Sequence, residues 1–185
     1  MKEYYEIEVA GLKRQLPLCP LTDKLYIAGF VIFGDVELTE RSAEALLKLA
    51  PEYDYMITAE SKGIPLAHEM ARQSGQNKYI LARKAPKLYM RNTVKCDVKS
   101  ITTEKVQTLY LDGADAELIK GKKILIVDDV ISTGESLYAL ETLIKQAGGT
   151  VAGRLAILAE GDAAKREDIG YLQYLPLFDE NGEPI

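Results

Sequence analysis

No stretch restricts the fold of this chain more than KKILIVDD, residues 122–129. Four consecutive apolar residues, Ile124, Leu125, Ile126 and Val127, leave no alternation of polar and apolar positions. A strand of this kind is buried on both faces, as in the interior of a parallel sheet. Parallel neighbours need crossover helices, and the flanking sequence supplies them. LTERSAEALLKLA (38–50) sets Ala43, Leu46, Leu47 and Ala50 on one helical face, with Thr39 as N-cap and Pro51 as stop. YMITAE (55–60) reads as a short buried strand, and residues 64–72 as a helix with Pro65 in its first turn and Gly75 past its end. KYILARK (78–84) and VQTLYL (106–111) read as strands, separated by about twenty residues without clear periodicity. After KKILIVDD comes a helix carrying Leu137, Leu140, Ile144 and Ala147, closed by Gly148-Gly149. A strand over 151–160 and an edge strand within YLQYLPLF (171–178) complete the pattern. The alternation predicts one α/β domain over residues 1–185, a mostly parallel central sheet flanked by helices. In such sheets ligands bind beyond the carboxyl ends of the strands, which here means just after Glu60, Arg83 and Asp129.

Charge and composition exclude several classes of function. Against 23 Lys+Arg stand 28 Asp+Glu, a net charge of -5, so the basic footprint of a nucleic-acid binder is missing. The longest apolar run, residues 25–33, contains a glycine and is far shorter than the ~20 residues a bilayer span needs. The start, MKEYYEIEV, has no signal-peptide character, and the expected location is the cytoplasm. Cys19 and Cys96 fit no metal-binding or redox spacing, and the single histidine, His68, excludes histidine-based triads and His-rich metal sites. The chemistry must therefore rest on carboxylates, lysines and backbone amides.

The informative segment is ILIVDDVISTGES, residues 124–136. The buried strand ends in two adjacent carboxylates, Asp128 and Asp129, followed by Ser132, Thr133, Gly134, Glu135 and Ser136, a loop of small residues that opens a helix. Gly134 permits a tight turn, successive N–H groups face one concavity, and the helix dipole favours an anion there. Such a cradle beside two carboxylates suits a ligand with a phosphate and sugar hydroxyls. Receiver domains of response regulators open on a similar run but need far more chain than follows Asp129. A P-loop NTPase needs GxxxxGK[ST], which does not occur here.

IVDDVISTGES resembles the PRPP-binding motif of type I phosphoribosyltransferases, and the similarity runs from about Phe33 onward, with the adenine and xanthine enzymes nearest. The resemblance implies that Asp128 and Asp129 bind the ribose hydroxyls of PRPP, while Ser132, Thr133, Gly134, Glu135 and Ser136 bind its phosphate. ESKG resembles the family's pyrophosphate loop, often built on a cis peptide, which implicates Ser61, Lys62 and Gly63; Lys62 joins the two aspartates as a catalytic group. ARKAPKL resembles the RKxxKL stretch of adenine-type enzymes, which brings in Arg83, Lys84 and Lys87. IFGDVEL resembles a stretch whose aromatic stacks on the purine, so Phe33 and also Val130 are expected at the base. About residues 1–37 are expected to form a hood over the base, and about 89–105 a mobile catalytic loop. In that loop Thr102 stands where adenine-type enzymes carry a glutamate, with Glu104 two residues on. The implied activity is transfer of the phosphoribosyl group from PRPP to a purine, adenine-like first, in a Mg2+-dependent homodimer. Xanthine-, hypoxanthine- or guanine-type transfer, and a non-catalytic PRPP-sensing regulator, are the alternatives.

Overall fold

The computed structural model describes residues 2–99 and 106–185. The strands are β1 (Tyr4–Val9), β2 (Leu12–Pro20), β3 (Tyr26–Ala28), β4 (Tyr55–Ala59), β5 (Ile80–Ala82), β6 (Val94–Lys99), β7 (Val106–Leu111), β8 (Lys123–Ile131), β9 (Thr150–Glu160) and β10 (Gly170–Leu175). The helices are α1 (Val36–Leu47), α2 (Gly63–Gln73), α3 (Gly113–Ile119) and α4 (Glu135–Gln146). The buried run 124–127 lies in β8, the middle strand of a five-stranded sheet ordered β10-β9-β8-β4-β5. Every pairing within it is parallel, and β10 closes one edge.

Burial on both faces of β8 divides the interior in two. Ile124 and Ile126 point to one side, where Leu137, Leu140 and Ile144 of α4 and Ile119 of α3 cover them. Leu125 and Val127 point to the other, against Leu38 and Leu46 of α1 and Leu66 and Met70 of α2. The second core continues into an antiparallel sheet β1-β2-β3, through Ile7, Val9 and Leu16. The N-terminal segment is thus joined to the domain by apolar packing. Among the described residues no helix is long and apolar enough to cross a membrane.

Two local details differ from the sequence reading. Helix α1 begins earlier, because Asp35 is its N-cap: the Asp35 carboxylate accepts from the Leu38 N–H at 3.1 Å. The Thr39 hydroxyl instead donates to the Asp35 carbonyl at 2.7 Å. Within the segment expected to lack periodicity, β6 pairs antiparallel with β7, Cys96 opposite Leu109. Thr102 and Glu104 lie outside the described residues.

Candidate functional site

Six segments meet at the carboxyl end of the sheet and enclose a cavity of about 470 Å³. Its floor is the end of β8 and the loop after it, with Asp128, Asp129, Val130, Ser132 and Ser136. One wall is the turn after β4, with Glu60, Ser61 and Lys62, joined by Lys84 after β5. The opposite wall is Glu160 at the end of β9 and Leu175 at the end of β10. Residues 27–31, the exit of β3, form the roof.

Strand β8 remains extended through Ile131, so the two aspartates diverge. Asp129 is only 3% exposed, and Lys62 Nζ lies 2.8 Å from its Oδ2. The same ammonium donates to the Phe30 carbonyl at 3.2 Å, which ties the β4 turn to the roof. Asp128 is half-buried and accepts the Asp129 N–H at 2.9 Å on Oδ1. Burial, and then the neighbouring Asp129 charge, push the Asp128 carboxyl well above the usual carboxylate range. An acid held in this way keeps its proton near neutrality and becomes a carboxylate acceptor only when a ligand's donors or a cation favour the charged form.

The β4 turn is fitted to this pair. The Glu60–Ser61 peptide is cis. A Cβ on Gly63 would collide with Thr58 Oγ1 and come within 3.2 Å of Asp128 Oδ1, so glycine alone allows α2 to start this close to the acidic pair. Across the sheet, Gly134 caps α4 in the left-handed conformation, φ 80°, without a capping side chain. The first-turn amides of α4 therefore receive no acceptor from their own cap. They open onto a small cleft of about 50 Å³ lined by Ser132, Thr133, Gly134, Glu135 and Ser136, with Asp128 at its edge. Donors of this kind, at the positive end of a helix, select an anion.

The structure thus brings Asp128, Asp129, Lys62, Ser61, Lys84, Val130 and the 132–136 loop to one place, with Gly63 packed beneath them. Other expected residues lie elsewhere. Phe33 is 51% exposed on a turn and does not line the cavity. Phe30, three residues earlier and 4% exposed, does. Arg83 is turned away as well: its Nη2 pairs with Glu60 Oε1 at 3.0 Å, and its Nη1 donates to the Tyr89 hydroxyl at 2.8 Å. Glu60 also accepts the Lys84 N–H at 2.9 Å, and this bond and the nearby cations hold its carboxyl below the ordinary range. Lys87 is exposed and absent from the lining. The sequence reading missed Glu160, whose place at a strand end carries no signal until the neighbouring strands are aligned.

A parallel sheet with an amide cradle and an acidic pair at its carboxyl end defines an α/β protein with a charged ligand-binding cavity at its strand ends. The family model for the phosphoribosyl transferase domain matches residues 39–181, and the chain belongs to that family. The hypoxanthine/guanine phosphoribosyltransferase of Methanococcus voltae is 30% identical over 162 residues, 85% of this chain and 82% of the relative. That of Methanosarcina barkeri is 31% identical over 141 residues, 75% and 66% of the two chains. Among solved structures, adenine phosphoribosyltransferase from Thermoanaerobacter pseudethanolicus superposes with a TM-score of 0.66 at 20% identity, covering 93% of this chain and 95% of that one. The Saccharomyces cerevisiae adenine phosphoribosyltransferase, complexed with an imino-altritol bisphosphate and adenine, gives 0.66 at 20% identity over 92% and 94%. The fold is that of the type I phosphoribosyltransferases.

Proposed function

We propose that the chain transfers the 5-phosphoribosyl group of PRPP to a purine, releasing pyrophosphate and a nucleoside monophosphate in nucleotide salvage. One observation carries this reading: the acidic pair lines a ligand-sized cavity that adjoins the cleft of the α4 amide cradle, the two sharing Asp128, Val130, Ser132 and Ser136, with Lys62 and Lys84 on a side wall. The 132–136 loop takes the 5-phosphate, Asp128 and Asp129 accept the ribose hydroxyls, and Lys62, the Ser61 region and Lys84 face the diphosphate. Bond breaking leaves a cationic sugar and an anionic leaving group, so fixed charges of both signs lower the barrier without a covalent intermediate. Asp128 and Asp129 favour the sugar's developing positive charge, and Lys62 neutralises departing negative charge. Arg83 and Lys87 act at the diphosphate only if the 83–89 segment rearranges, since Arg83 is held by Glu60 and Tyr89.

The hard carboxylate oxygens of Asp128 and Asp129 are the donor type Mg2+ prefers. Among the described residues no group of three or more His, Cys, Asp or Glu side chains converges. When bound, Mg2+ supplies charge neutralisation of the diphosphate. A homodimer and a cytoplasmic location accompany this reading as expectations from the family. The adenine-first reading rests on ARKAPKL and IFGDVEL; transfer to hypoxanthine or guanine is favoured by the relatives at about 30% identity, which are hypoxanthine/guanine phosphoribosyltransferases. Pyrophosphate release from PRPP with Mg2+ and a panel of bases tests the proposal. Release with purines and not pyrimidines is the expected result. No release with any base, alongside retained PRPP binding, would leave the sensing alternative instead.

A further inference from the structure

Once PRPP is placed, the order of the strands orders the rest of the ligand. The amide cradle fixes the 5-phosphate after β8, and the β4 turn, with Lys62 and Lys84, takes the diphosphate. Displacement at the anomeric carbon brings the nucleophile in opposite the departing oxygen. In the order β10-β9-β8-β4-β5, the side of β8 opposite β4 is β9. The base must therefore lie against the ends of β9 and β10, under residues 27–31. Among the described residues that wall is apolar side chain and main chain (Val130, Leu175, Phe30) with a single exception: Glu160 is its one ionisable group.

We propose that the Glu160 carboxylate selects the base, accepting hydrogen bonds from the ring and amino N–H donors of a 6-oxopurine. This assignment rests on the phosphoribosyl-transfer reading above and deepens it. Among the described residues nothing hydrogen-bonds the Glu160 carboxylate, so its acceptors remain for a ligand. Burial raises the carboxyl above its ordinary value, opposed by the Lys62 charge, so the site favours any donor that relieves the buried anion. Guanine offers N1–H and its 2-amino group side by side, which matches two carboxylate oxygens; hypoxanthine offers N1–H. Adenine presents a lone pair at N1, which a carboxylate repels. A buried polar group left unpaired or opposed is a strong discriminator between otherwise similar substrates.

The test compares wild type, Glu160→Gln and Glu160→Ala by pyrophosphate release with guanine, hypoxanthine and adenine, at saturating PRPP and Mg2+. The expected wild-type order places guanine and hypoxanthine above adenine in kcat/KM. Glu160→Gln is expected to lose more than about tenfold with guanine while adenine holds or improves, because the amide adds a donor that meets N1. Glu160→Ala is expected to lose guanine activity without that gain. The KM for PRPP should stay within about twofold in both variants, a readout that a general structural defect would move. Equal losses with all bases, or unchanged guanine turnover, overturn the assignment. A wild-type enzyme using adenine alone also overturns it and leaves purine transfer standing. Absence of pyrophosphate release with every base overturns the transfer reading itself, and this assignment with it.

Discussion

Asp129 is nearly inaccessible and charged, and the Lys62 ammonium at 2.8 Å is what makes that burial tolerable. Removing one partner of such a pair leaves an uncompensated charge in a poorly hydrated place. Lys62 itself is 41% exposed on its side chain, so water screens part of the loss. Lys62→Ala should lower stability by about 1–3 kcal/mol in urea denaturation. The variant should also lower kcat for pyrophosphate release more than it raises the KM for the base. Asp128 behaves oppositely. Its folded carboxyl binds its proton more tightly than in the unfolded chain, so stability falls as pH rises above the ordinary value of 3.8. Asp128→Asn removes that dependence. Without ligand, the variant should melt at or above the wild-type temperature, and its advantage should grow from pH 5 to pH 8. Its turnover should nevertheless fall by at least about tenfold, because an amide cannot supply the negative charge the ribose needs. A variant less stable than wild type at pH 8 would contradict the assigned shift.

Helix α1 shows what could be read in sequence at the level of elements. Its apolar face was legible from Ala43 and Leu46, both fully buried, yet its start was not. Thr39 is a good cap residue, but Asp35 has a partner far away in the chain: Arg14 of β2 bonds it at 2.6 Å through Nε and at 3.1 Å through Nη2. No local signal announces a cap reinforced from another sheet. Strand β8 was legible because its cause lies within consecutive residues, and so was the acidic pair that follows it. Helix α3 was not, since seven residues with only Ala116 and Ile119 buried make no period. Strand β6 does alternate, Val94 and Cys96 against Lys95 and Asp97, but its meaning depends on β7. Glu160 was missed for the same reason, as its place in the cavity depends on β10 beside it and on residues 27–31. Since Asp35 both caps α1 and anchors β2, Asp35→Ala should cost about 1–3 kcal/mol, more than a cap alone. The Arg14 guanidinium holds the Asp35 carboxyl below its ordinary value, so this stabilisation is present near neutrality and is lost as pH falls below 3.8. Arg14→Ala should flatten the acid limb of the melting-temperature profile; an unchanged limb would mean the pair contributes nothing.

Across the whole molecule, the cavity sits where the two cores and the antiparallel N-terminal sheet converge, and its roof is held by packing together with the Phe178–Tyr26 bridge and the Lys62–Phe30 hydrogen bond. Phe178, with no exposed surface, meets the Tyr5 ring at 4.9 Å, and its backbone bridges Tyr26 in β3. Phe178→Ala should cost about 3–5 kcal/mol in chemical denaturation. It should also raise the KM for the base more than that for PRPP, because the roof belongs to the base end while α4, whose start forms the cradle, packs in the other core. In the proposed function PRPP, by contrast, touches segments from both sides of the sheet: the β4 turn, β8 and the start of α4. A ligand that binds only when these segments are assembled stabilises the whole fold by mass action. At a PRPP concentration about one hundred times its Kd, with Mg2+ present, the gain is about 2.7 kcal/mol. For a domain of this size that corresponds to a rise in Tm of about 5–10 °C. The Asp128→Asn, Asp129→Asn double variant keeps the strand, the cradle and both cores, so it should melt cooperatively but show almost none of the rise. If the double variant responds to PRPP as the wild type does, the acidic pair does not hold the sugar, and the ligand would have to be gripped by the amide cradle alone.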